Sequence, residues 1–111
     1  MNFFLEEVDG VKIVRLKEER LDTAIAPDLK AQLLVLIAQD KKVLLNLEDV
    51  DYADSSGLGA ILLGFRQARD VGADFAICGV QKRVETMINI AQLTNVITIY
   101  KDQFEALEEM N

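Results

Sequence analysis

Residues Val43 to Leu47 read Val-Leu-Leu-Asn-Leu, a run in which apolar side chains do not alternate with polar ones. As a strand, such a run presents apolar groups to both faces of a sheet, and both faces must then be covered. It therefore reads as a central strand, and the rest of the chain has to supply the layers around it. The flanking patterns fit that demand. Phe3 to Val8 and Val11 to Leu16 are β-prone runs joined by Asp9-Gly10, a hairpin signal. Pro27 suits the first turn of a helix whose apolar face is Leu29, Leu33, Leu36 and Ile37, with Lys41 and Lys42 expected to close it.

A second helical stripe begins near Ser56 with Leu58, Ile61, Leu62, Phe65 and Ala68, and Gly72 is its expected stop. Phe75 to Val80 reads as a strand, and Val84, Met87, Ile88 and Ala91 as a third helix. Val96 to Tyr100 is the expected last strand. Asp102 and Glu105 then open a final helix bearing Phe104 and Leu107 in the manner of a capping box. The alternation predicts an α/β fold: a mixed β-sheet with an N-terminal hairpin, about four helices and right-handed crossovers.

At 111 residues and 50% hydrophobic, residues 1–111 read as one domain. The net charge of −7, from 12 basic and 19 acidic residues, argues against nucleic acid, whose phosphates need a basic face. It disfavours an anionic membrane surface as well. Early acidic residues (Glu6, Glu7, Asp9) argue against a signal peptide, and no apolar run reaches spanning length. The lone Cys78 reads as a buried strand thiol in a reducing, cytoplasmic setting. With no histidine, histidine-based catalysis and metal sites are excluded, and no cofactor is expected. Gly57 and Gly59 faintly suggest a dinucleotide fingerprint, but Leu62 occupies the third glycine position. Asp22 and Asp54 could pair as carboxylates, although solvated acidic loop residues are the commoner explanation. No long heptad pattern is present, and a monomer is expected for the free protein.

One segment carries more chemistry than the rest: Asp51-Tyr52-Ala53-Asp54-Ser55-Ser56-Gly57-Leu58-Gly59-Ala60, between the central strand and the second helix. Loops at the carboxyl ends of such strands form the functional edge of α/β folds. Gly57, Gly59 and Gly64 each cost a helix about 1 kcal/mol relative to alanine. Either tight packing or the close approach of a partner's backbone must need their missing side chains. On one reading Asp54, Ser55 or Ser56 merely caps the helix and the glycines pack; on the other the segment is a recognition surface. The residues alone leave both open. Leu63, off the main stripe, belongs either to a docking face or to a wide helix–sheet contact.

Asp54-Ser55-Ser56-Gly57-Leu58-Gly59 resembles the D-S-[ST]-G-L-G signature of bacterial anti-sigma-factor antagonists in the STAS family. Asn46 to Val50 before it, and Leu21-Asp22 followed by Leu29-Lys30, extend the likeness, and the order of elements matches that of the family over nearly the whole chain. The resemblance implies a protein-binding module, not an enzyme. Its phosphoacceptor would be Ser55, and its partners an anti-sigma factor serine kinase and a serine phosphatase. Asp22, Asp54, Ser56, Gly57, Leu58 and Gly59 would form the partner surface. Binding would release a sigma factor, and phosphorylation would switch binding off. Glu19-Arg20 stands where the family often has Gly-Glu, and Ile25 where a threonine is common. STAS domains also serve as subunits or regulators of membrane transporters and stress-sensing complexes, an alternative in which Ser55 stays unphosphorylated.

Overall fold

The hairpin forms as its turn chemistry dictates. In a computed structural model describing residues 1–111, β1 (Phe3–Val8) and β2 (Val11–Leu16) pair antiparallel, with Val8 opposite Val11. Asp9 and Gly10 both adopt positive φ, 52° and 81°, as a two-residue turn between twisted strands requires. The short β3 (Arg20–Leu21) follows, then α1 (Ala26–Leu36), β4 (Lys42–Asn46), β5 (Tyr52–Ala53) and α2 (Ser55–Val71). The chain continues through β6 (Asp74–Cys78), α3 (Lys82–Ile90), β7 (Ile99–Tyr100) and α4 (Gln103–Met110).

The main sheet has the order β1-β2-β4-β6-β7, parallel except for the hairpin. β4 lies at its centre, and its two faces enter different cores. Val43 and Leu45 join the larger cluster with Leu29 and Leu33 of α1, Leu58 and Ile61 of α2, and Val84 and Ile88 of α3. Leu44 joins a smaller cluster with Val11, Ile13, Ala76 and Cys78, closed by Ala106 and Met110 of α4. The mixed sheet, the hairpin and the four helices agree with the expected fold. Cys78 is fully buried, and burial pushes its thiol up to about 12.

Several details differ. Lys41 and Lys42 do not close α1. The helix ends at Leu36, Ile37 turns extended, Asp40 takes a left-handed φ of 64°, and Lys42 is already in β4. β6 stops at Cys78 because Gly79 turns at φ 69°. The last strand shrinks to Ile99–Tyr100, because Val96 and Ile97 donate backbone hydrogen bonds back to Leu93 in a turn. Ala91 caps α3 and is exposed, which leaves Val84, Met87 and Ile88 as its packed stripe. On α4, Ala106 and Met110 are buried, Leu107 is half-buried, and Phe104 is 74% exposed. Gly72 does stop α2, in the left-handed region, with its N–H donated to the Ala68 carbonyl.

Candidate functional site

β3 and β5 form a separate two-stranded parallel ribbon in which Arg20 pairs with Tyr52 and Leu21 with Ala53. Asp22 and Asp54 therefore leave the same end of that ribbon. The Asp54 N–H donates to the Leu21 carbonyl at 3.2 Å, extending the pairing by one bond. Asp54 is extended (φ −99°, ψ −173°), and its Oδ1 accepts the Gly57 N–H at 3.0 Å. It is the N-cap of α2, so the capping reading holds for this residue. Ser55 is the first helical residue; it is exposed, and its hydroxyl is not the cap. Ser56 is half-buried beside it.

The glycines divide by what surrounds them. A Cβ on Gly57 would lie 2.2 Å from the Leu21 carbonyl oxygen, so the ribbon crosses the helix at a point only glycine permits. A Cβ on Gly64 would meet the Phe75 ring at 2.7 Å and Leu33 at 3.1 Å, where α2 presses on the sheet and on α1. Around Gly59 there is open space, and the residue is exposed one turn beyond Ser55 on the same face of α2. Internal packing accounts for Gly57 and Gly64 and leaves Gly59 without such a reason. Leu58 is buried in the core, so of the hexapeptide it serves the fold. Leu63 is half-buried in a crevice against Leu33 and Leu34 of α1, which favours the packing reading of that side chain.

Asp22 is half-buried, and its Oδ1 accepts the Ala24 N–H at 3.0 Å. Its other oxygen lies 3.5 Å from Arg20 Nε. Its backbone carbonyl accepts the N–H groups of Ile25 and Ala26, so it organises the entry to α1. The loop before the site is tied down from β2 and from the residue that follows it. Arg15 Nη1 reaches Glu48 at 2.7 Å, Arg15 Nε reaches Asp49 at 3.2 Å, and Lys17 Nζ reaches Asp49 at 3.0 Å. Hydrogen bonds from Arg15 and then Lys17 hold the Asp49 carboxyl below its usual range, and the bond to Asp49 raises Arg15. Val50 is buried, and Glu19 O accepts the N–H groups of Asp51 and Tyr52.

Sequence reasoning misses two features. One is this clamp, whose members come from β2, from Lys17 just after it and from a loop more than thirty residues later, so no local spacing announces it. The other is a cationic group around Tyr52. The Arg20 guanidinium lies 4.2 Å from its ring centroid, and that of Arg83 lies 5.3 Å away, within cation–π range. The parallel pairing of Arg20 with Tyr52 is the only signal for the first contact, and it is invisible before the ribbon is known.

No group of three histidine, cysteine or acidic side chains is arranged to hold a metal ion, and no helix is long and apolar enough to cross a membrane. The site offers an exposed serine at the start of α2 and, one turn on, the bare helix surface at Gly59.

Comparison with known proteins identifies the family and the fold. The family model of the STAS domain matches residues 2–106. An anti-sigma F factor antagonist of Paenibacillus polymyxa is 32% identical over 108 residues, covering 96% of this chain and 92% of the relative. Among solved structures, an anti-sigma-factor antagonist (STAS) domain protein from Planctomyces limnophilus gives a TM-score of 0.88 at 22% identity, over 97% of both chains. The Bacillus cell fate determinant SpoIIAA in its phosphorylated form gives 0.71 at 20% identity, over 99% of this chain and 100% of that one. At those identities the two structures speak to the fold, while the family match covers nearly the full length. The chain belongs to the STAS domain family.

Proposed function

We propose that this protein is an anti-sigma-factor antagonist that binds an anti-sigma factor serine kinase through the Ser55 edge of α2, and that phosphorylation of Ser55 switches it off. In this reading it is a binding module, not an enzyme, and a serine phosphatase restores it. One observation carries the proposal: Ser55 is exposed at the first position of α2 while Asp54 alone supplies the cap, so its hydroxyl is free for other chemistry. The likeness to a relative named as an anti-sigma F factor antagonist supports the circuit. A solved phosphorylated form of a protein with this fold supports the type of switch.

A phosphate on Ser55 adds about −1.5 to −2 charge at neutral pH. The start of α2 favours that charge by about 0.3–1 kcal/mol. The Asp54 carboxylate, one residue away, opposes it, so the fold changes little. Across an interface the same charge has no such compensation, and a like-charge contact costs several kcal/mol. Each 1.4 kcal/mol is about tenfold in affinity, so the modification acts by spoiling a surface.

The test is incubation with the host's anti-sigma factor kinases and ATP, read by intact mass. One phosphate should be gained by the native chain and none by Ser55→Ala. Ser55→Asp should bind the same kinase at least about a hundredfold more weakly. A Ser55→Ala chain that still gains one phosphate, or an unchanged affinity of Ser55→Asp, refutes the assignment.

A further inference from the structure

Away from the Ser55 edge, a cleft of about 530 Å³ opens between the C-terminal half of α2, the start of β6 and the segment after α3. Its volume lies within the roughly 300–1,000 Å³ of small-molecule sites. The Phe65 and Phe75 rings both line it and pack together at 4.6 Å between centroids, tilted by 53°. Leu62, Leu93 and Val96 add apolar wall.

Two of these positions are unusual for where they stand. Leu62 lies on the predicted apolar stripe of α2 yet is only half-buried. Val96 is 51% exposed although its neighbour Ile97 is buried and anchors the same turn in the core. A connecting segment of this kind ordinarily shows polar groups to water. Here it turns apolar ones toward the cleft.

The polar groups lining the cleft are few and unequal in charge. They are Arg66 and Arg69, one turn apart on α2, and Asp74. Arg66 has no carboxylate within ion-pairing distance. Arg69 reaches only its exposed neighbour Asp70, at 4.0 Å. In a chain of net charge −7, an apolar cleft edged by two lightly engaged guanidiniums selects for a negative head group.

We propose that this cleft binds a small amphipathic anion: an apolar tail against Phe65, Phe75 and Leu93, and a carboxylate or phosphate head held by Arg66 with Arg69. The proposal does not depend on the reading of Ser55.

Titration of the full chain with decanoate or decyl phosphate below their micellar concentrations, followed by backbone amide NMR, tests it. Saturable shifts should be confined to residues 62–75 and 93–96 for at least one of the two, and the tighter one identifies the head group. The uncharged decanamide should bind about tenfold more weakly, as should the Arg66→Gln/Arg69→Gln double variant, since a charge-assisted hydrogen bond is lost. Both arginines are on the surface, so that variant keeps the fold. As a second variant, Val96→Asp should repel the ligand while leaving the other amide resonances in place. Shifts scattered over the surface, no saturation with either anion, equal binding of decanamide, or undiminished binding by the double variant would each overturn the assignment.

Discussion

Gly57 and Gly59, two residues apart in one helix, should respond in opposite ways to the same substitution. Gly57→Ala drives a methyl group against the Leu21 backbone carbonyl, which cannot swing aside as a side chain could. The expected cost is roughly 1–3 kcal/mol, seen as a lower urea midpoint at constant slope. Gly59→Ala meets open space, and should raise stability by about 0.5–1 kcal/mol through helix propensity alone. If the Ser55 edge is the kinase surface, that stabilised variant should bind the kinase less well, and a binding assay beside the melt separates the two effects. Asp54→Ala removes the bond to the Gly57 N–H and should cost about 1 kcal/mol. Ser55→Ala, at an exposed position outside the cap, should stay within about 0.5 kcal/mol of the native chain. The residues of the hexapeptide are legible from the sequence as a group, but their separate duties are not. Which glycine packs and which is bare depends on where Leu21 crosses α2, a contact between positions far apart in the chain.

Among elements, the β2 clamp on the loop before α2 sets an acid limb. Asp49 is held below the usual carboxylate range in the folded state by hydrogen bonds from Arg15 and then Lys17. A depressed carboxyl stabilises the fold at pH values above its unfolded value, near 3.8, and that contribution is lost as the pH falls through the lower folded value. Native protein should therefore lose melting temperature more steeply than Asp49→Asn as pH drops from about 5 to below 3. Added salt should narrow the gap, because all three side chains are solvent-accessible. Element types were readable because periodicity is local: the hairpin turn, the Gly72 stop and the Asp102 cap all appear where their residues stand. The ends fared worse where a longer-range contact decided them. Asp40 bonds the Gly72 carbonyl and Asp74 bonds the Lys41 carbonyl, so the α1–β4 turn is fixed from α2 and β6, and no reading of Lys41 and Lys42 alone could show it.

At the scale of the molecule, the unbroken apolar run of β4 has its explanation in two unequal layers. Leu45 faces α1, α2 and α3, while Leu44 faces α4 and the outer side of β2 and β6. Both are fully buried, and either Leu→Ala change should cost about 2–5 kcal/mol in denaturant titrations. The sequence required cover on both sides of this strand; it did not say that one side would rest on a single eight-residue helix. Cys78 reports on that cover, since it shares the smaller layer with Ala106 and Met110. Removing residues 103–111 should turn a thiol that resists a disulfide exchange reagent into one that reacts at once. The same arrangement bears on how the chain is made. A ribosome delivers residues in order, N-terminal first. Until α4 is in place, the face that carries Val11, Ile13, Leu44 and Ala76 lacks the Ala106 and Met110 cover it has in the finished fold, and a neighbouring nascent chain or a chaperone can take that place.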